Sequence, residues 1–388
     1  MAAQAVVGDV VLDEIQGLVR TGFKALTSAR YLLFAVDDLQ AARRWLGGLS
    51  VTSAGHRPAD ERPTRAVNIA FTYAGLKKLQ LDQRALGDLS EELREGMITE
   101  HRKRILGDHG ASDPKSWLWG GPGMAEIHGA LLLFAADADE LEALTGEARV
   151  ADGITWLEPA LDTSWLPGRK EQFGFHDGIA QPNLLGVHTE QPGFDVVAPG
   201  EVLLGYPNQY GKLPRAPRID GRSELLPRGD DFGRGGSYLV FRQLEQKVAD
   251  LWSWARETAE RLHVGDLFPA AADPGICVAA KMVGRWPNGA PLVRWPTPRP
   301  TPAIPTCSPT TRSATPPMIR TAWPVRWART FAAPTRATGS SPTTPAKRSR
   351  SPTTIAFSAA VVPTVRRWWP TWTPRCCRVQ PTTGSRGG

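Results

Sequence analysis

Runs of apolar residues separated by polar breaks give the first outline of the chain. Residues 31–36 (Tyr-Leu-Leu-Phe-Ala-Val) form a compact apolar run and predict a strand, as do residues 66–72. Between them, Asp37 and Asp38 offer a helix start for residues 39–49, with Ala41, Ala42, Trp45 and Leu46 on one face. A short helix through Leu76 and Leu79 follows the second strand. The same unit then recurs: a strand over 128–134, a helix over 137–144 and an extended segment over 149–157. Residues 13–30 carry apolar positions at helical spacing (Ile15, Leu18, Val19, Phe23, Leu26), interrupted by Gly17 and Gly22. Residues 82–118 are polar and loop-rich, with a helical patch over 89–98. A turn-rich stretch, 191–236, leads to a strand over 237–242 and an amphipathic helix over 246–262. In that helix Trp252 and Trp254 suit core and rim packing better than an electron relay. Residues 274–283 read as a returning strand. Strands alternating with short helices predict an α+β architecture.

At 388 residues the chain has room for two domains with substantial cores. Its net charge of +7 hides a division. Residues 294–388 carry 14 Arg, one Lys and no acid, a charge of +15, whereas 1–293 holds all 39 acidic residues against 31 basic ones, −8. The same last segment holds 17 of the 34 prolines and shows neither helical nor alternating periodicity, a composition that predicts disorder. Its arginines, interleaved with Trp323, Trp327, Trp368, Trp369 and Trp372, mimic a nucleic-acid-binding segment, but no selected nucleic-acid partner is expected. The tryptophans show no amphipathic pattern, so no membrane partner is expected either. Cys277, Cys307, Cys376 and Cys377 make neither a disulfide framework nor a zinc site. Asp9, Asp13 and Glu14 interrupt the N-terminus where a secretion signal would be apolar, and a cytoplasmic protein is expected.

Chemistry concentrates at residues 172–182, Q-F-G-F-H-D-G-I-A-Q-P. Gly174 and Gly178 permit backbone angles and close approach that a side chain would forbid. Asp177 then sits on a tight turn, with Phe173, Phe175 and Ile179 available as apolar walls. A carboxylate so placed can shuttle protons. The competing reading is that Asp177 only caps the turn through its own backbone, as Asp often does.

This G-x-x-D-G segment followed by I-A-Q-P resembles the signature of dye-decolourising (Dyp-type) haem peroxidases. Three further stretches agree in order: residues 200–206 (G-E-V-L-L-G-Y), 233–244 (G-R-G-G-S-Y-L-V-F-R-Q-L) and 281–292 (K-M-V-G-R-W-P-N-G-A-P-L). The resemblance extends to about Val293. It implies two ferredoxin-like domains, antiparallel sheets with packed helices, with haem b held between them and its site assigned to the second. The divisions expected are 1–190, an incomplete second domain over 191–293, and an aberrant tail over 294–388. The implied activity reduces hydrogen peroxide and oxidises a dye, a phenol or another aromatic donor. In that scheme haem carries the oxidising chemistry. Asp177 is the distal acid and base, Gly174 and Gly178 hold its turn against the cofactor, and Arg285 pairs with a haem propionate or serves its own loop. His176 matches no ligand position, and ordinary hydrogen bonding is expected of it.

The resemblance breaks where a proximal histidine and a distal arginine should follow. All seven histidines (His56, His101, His109, His128, His176, His188, His263) lie upstream of residue 294, and none sits in the family's proximal motif. Reading GC-rich codons of the tail from their third base repairs the break. Residues 328–337 can then encode A-H-I-R-R-A-N-P-R, similar to the proximal-histidine motif, and the residues just before can supply C-P-V-G. In the same frame residues 353–362 can encode H-H-R-I-L-R-R-G-R, similar to the distal-arginine motif. Two motifs in one frame and in order point to a shifted reading frame near codon 293. Three readings stay open: a haem peroxidase, an inactive haem-poor product, and a non-catalytic porphyrin-binding protein of the same fold.

Overall fold

The computed structural model describes residues 10–55, 63–164, 167–179, 181–188, 196–219, 232–267 and 273–296, together with the backbone of 355–361. A short helix α1 (Gly17–Arg20) precedes strand β1 (Ser28–Val36), helix α2 (Leu39–Gly48) and strand β2 (Arg65–Phe71). Four short helices follow: α3 (Tyr73–Lys78), α4 (Gln83–Asp88), α5 (Glu91–Glu95) and α6 (Glu100–Leu106). Strand β3 (Gly129–Ala135), helix α7 (Ala138–Arg149) and strand β4 (Ile154–Ser164) complete the first unit. Beyond it lie β5 (Asn183–Leu184), β6 (Val196–Val197), β7 (Ser237–Gln243), α8 (Val248–Arg261), α9 (Val264–Leu267), α10 (Pro274–Val283) and β8 (Ile355–Val361).

The main sheet has the order β4-β1-β3-β2-β8-β7, every neighbouring pair antiparallel. Its first four strands, linked β-α-β-β-α-β in the order 4-1-3-2, form a ferredoxin-like unit. Alternate residues of the strands serve opposite faces. Leu32, Phe34 and Val36 meet Ala42 and Leu46 of α2 and Leu141 and Leu144 of α7 on one side. Tyr31 and Leu33 meet Phe23, Trp117, Trp119 and Phe241 on the other. Both faces are therefore covered, which is why β1 and β3 read as unbroken apolar runs rather than alternating ones.

Helix α2 starts where its sequence signals, with the Asp38 carboxylate accepting from the Ala41 amide at 2.6 Å. The region 82–118 breaks into three short helices capped by Asp82, Ser90 and Thr99, where one patch was expected. Gly96 and Gly107 end two of them in left-handed backbone (φ 69° and 73°). Of the helical spacing over 13–30, which Gly17 and Gly22 interrupt, α1 is the α-helix that forms. Its predecessor Gln16 is fully buried and pairs its amide with β2, donating to Ile69 O at 3.0 Å and accepting from Ile69 N at 2.9 Å. That pairing holds the backbone extended. Trp252 is buried and Trp254 is 44% exposed, the core and rim roles expected of them.

Residues 274–283 correct the sequence reading: they are helix α10, not a strand. Asp273 caps it, accepting from the Gly275 amide at 2.8 Å, Pro274 occupies the first turn, and Gly284 ends it at φ 80°. Start and stop signals outweigh the apolar run between them. Asp273→Ala is expected to cost about 1 kcal/mol, with a further small loss from its ion pair to Arg256, read as a shift in the midpoint of chemical denaturation.

A second correction concerns the tail. Residues 355–361 form β8, paired with β7 along its whole length, from Ser237↔Val361 to Gln243↔Ile355, and with β2 at Ala70↔Val361 and Phe71↔Ala360. The segment Ile-Ala-Phe-Ser-Ala-Ala-Val has no proline and no charge, so it can fill a ladder that the rest of the tail cannot. Residues 297–354 and 362–388 lie outside the described residues.

Candidate active site

Just past the end of β4 the chain folds back on itself. Glu171 N donates to Phe175 O at 2.9 Å and Asp177 N donates to Arg169 O at 2.8 Å, with Lys170 and His176 bridged between them. This small hairpin presents Asp177. Gly174 and Gly178 adopt φ 92° and 73°, left-handed backbone that glycine enters without strain. A Cβ built on Gly174 would meet no protein atom within 4 Å, and one on Gly178 would meet only the Lys24 side chain at 3.7 Å. These glycines are therefore required by conformation and not by crowding from the protein.

Asp177 is half-buried, and its Oδ1 accepts from the Gly178 amide at 2.7 Å. The turn-capping role is thus real, and the second carboxylate oxygen is left to other work. Phe173 and Phe175, expected as walls beside Asp177, belong to a cluster with Trp252, Ala255 and Ala279. Phe175 stacks on Trp252 with ring centroids 6.3 Å apart and planes within 3°. They fasten the hairpin to α8 and α10.

A second loop, residues 285–292, braces the first. His176 N donates to Pro287 O at 3.0 Å. Gly289, at φ 91°, lies so close that a Cβ there would fall 2.2 Å from Ile179 Cδ1. Arg285 is half-buried and donates from Nη1 to Gly289 O at 2.9 Å, the loop role that the sequence left open for it. His176 makes the ordinary backbone hydrogen bond expected, with its ring beside Gly289.

The other described histidines are occupied or exposed. His128 is buried; its Nδ1 accepts from Val36 N at 2.7 Å and its Nε2 lies 3.1 Å from Glu126. His188 accepts from Leu184 N at 3.0 Å, and its other nitrogen lies 2.9 Å from Arg20 O. His101, His109 and His263 are exposed, and His56 lies outside the described residues. Among the described residues no group of three or more His, Cys, Asp or Glu is placed to hold a metal ion.

Sequence reasoning missed Glu171. Its carboxylate accepts from Phe173 N at 2.8 Å and from Phe175 N at 2.7 Å. The signal was there: an acid two and four residues ahead of two phenylalanines in a glycine-punctuated loop.

No family model matches the chain. Among curated proteins it is 29% identical over 301 residues to a dye-decolorizing peroxidase of Exidia glandulosa, covering 75% of this chain and 54% of that one. It is 30% identical to Peroxidase 2 of Mycetinis scorodonius, covering 72% and 50%, and 30% identical to a dye-decolorizing peroxidase of Auricularia auricula-judae, covering 75% and 52%. The crystal structure of a decolorizing peroxidase from Auricularia auricula-judae superposes with a TM-score of 0.59 at 25% identity, over 75% of this chain and 60% of that one. A dye-decolorizing peroxidase in complex with 2,6-dimethoxyphenol superposes equally well, over 75% and 62%. The chain spans about half the length of the curated relatives it matches. The mixed helix and antiparallel-sheet fold is thus the one seen in solved dye-decolorizing peroxidases. The chain belongs to the Dyp-type, dye-decolourising peroxidase family.

Proposed function

We propose that the gene specifies a haem-dependent peroxidase that reduces hydrogen peroxide and oxidises an aromatic or phenolic donor, with Asp177 moving the proton. The observation that carries this reading is the hairpin itself: Asp177 held between two left-handed glycines, with one carboxylate oxygen engaged by Gly178, in a chain of this family. One relative is known as a complex with 2,6-dimethoxyphenol, which supports a phenolic donor. Another is described by its heme pocket, which supports haem as the cofactor.

The residues present fit haem only in half. The carboxylate turn is in place, but His128, which is buried, and His188, which is half-buried, have both ring nitrogens engaged. No histidine of the chain lies in the family's proximal motif, which supports the reading that the chain as written lacks the group that would hold the iron. We attribute this to a shifted reading frame near codon 293. Supporting that reading, residues 294–388 hold no acidic residue and 17 of the 34 prolines, and both family-like motifs fall in one alternative frame and in order. The second ferredoxin-like unit, 191–293, is on this reading incomplete.

Sequencing the coding DNA across codons 285–300 tests the proposal. A base lost or gained near codon 293 is the expected result, and the frame-restored protein should then show a histidine-ligated Soret band when haem is added. An unbroken frame would withdraw the enzyme reading for this chain and leave the family fold. Haem bound without peroxide turnover would favour a porphyrin-binding role.

A further inference from the structure

We infer that Glu171 is a positioning residue for Asp177, a role that rests on the proton-transfer reading of Asp177 given above. The hairpin that presents Asp177 has two ends. At the open end Asp177 N is tied to Arg169 O. At the closed end the chain turns through residues 172–174, where main-chain pairing satisfies only Glu171 N with Phe175 O and Gly174 N with Glu171 O. The amides of Phe173 and Phe175 are turned to the Glu171 side chain, one onto each carboxylate oxygen. Both oxygens are used, so a carboxylate fits where an amide or a hydroxyl would satisfy one donor and not the other.

This matters for Asp177 because the hairpin is short and its strands move together. Phe175, whose amide Glu171 holds, is clamped by stacking on Trp252. His176, the next residue, is tied to Pro287 O. Asp177 follows directly. Releasing the Phe175 amide loosens the rung next to the one that aims the Asp177 carboxylate. Glu171 touches none of the reacting groups and acts only through the backbone.

Hydrogen exchange, read residue by residue on the full 388-residue chain, tests this without depending on bound haem. In Glu171→Ala the amides of Phe173, Phe175 and Asp177 are expected to exchange about tenfold faster or more, the order lost with one hydrogen bond. Amides of β1 and β3 should keep their protection. Glu171→Gln, nearly isosteric but with one acceptor oxygen, should restore protection in part. Faster exchange at Phe173 and Phe175 with Asp177 unchanged would overturn the inference, since Glu171 would then shape the turn alone. Global loss of protection in Glu171→Gln would overturn it too, making Glu171 a determinant of folding. Neither outcome bears on whether Asp177 transfers a proton, which is read separately from turnover.

Discussion

Phe34→Ala is expected to lower the stability of the fold by about 3–5 kcal/mol, the usual cost of removing a buried aromatic ring. Phe34 is fully buried near the C-terminal end of β1. Three aromatic rings meet it edge-on: Trp45 at 5.8 Å, Phe71 at 6.1 Å and Trp156 at 5.9 Å between centroids. These come from α2, β2 and β4, so one side chain joins three elements of the ferredoxin-like unit. Gly129 on β3 makes room for it, since a Cβ there would lie 2.4 Å from the tip of the Phe34 ring. Alanine would leave a cavity that these neighbours, held by their own strands and helix, cannot close. By contrast, the Arg30 network on the same strand joins Glu142 and Asp162, both well exposed, and pairs of that kind are worth about 0–1 kcal/mol each. Chemical denaturation compares the two directly. A loss under about 1 kcal/mol for Phe34→Ala would contradict the packing described, given the 2–5 kcal/mol typical of smaller core truncations.

The same distinction between core and exposed contacts explains what could be read from the sequence. Strands β1, β3 and β7 were legible because burial on both faces, or a clear apolar run, leaves little ambiguity. Helix α2 was legible from Asp38 and its apolar face. The misreading at residues 274–283 has a local cause. Residues 274–283 are apolar enough for a strand, and only the Asp273-Pro274 start and the Gly284 stop distinguish the helix. In the N-terminal stretch, already interrupted in the sequence by Gly17 and Gly22, one buried side-chain amide, Gln16, pairs with Ile69, 53 residues away. No local pattern reports such a contact. In the site, Asp177 was visible because glycines flank it. Glu171 was not, because its importance lies in which amides it satisfies, and hydrogen-bond pairing is a property of the folded loop. Arg285 was visible as a charge in a matched motif, but its partner, Gly289 O, emerged only with the loop closed.

The largest functional effect is expected at Asp177. In the frame-restored, haem-loaded protein, Asp177→Asn should lower peroxide turnover by about 10²–10⁴-fold, the usual contribution of a positioned acid or base. Asparagine is the informative replacement. Its side-chain oxygen can still accept from Gly178 N, as the Asp177 Oδ1 does at 2.7 Å, and the Asp177 N to Arg169 O bond belongs to the main chain. The turn should therefore survive, while the carboxylate proposed to take up and return a proton is gone. Asp177→Ala removes the cap as well, and should add a stability loss of about 0.5–1.5 kcal/mol for the hydrogen bond. The pair of variants separates the two roles that the sequence left in competition. Turnover unchanged in Asp177→Asn but reduced in Asp177→Ala would make Asp177 a turn cap and nothing more. Turnover lost in both, with unfolding altered only in Asp177→Ala, would make it the residue that moves the proton.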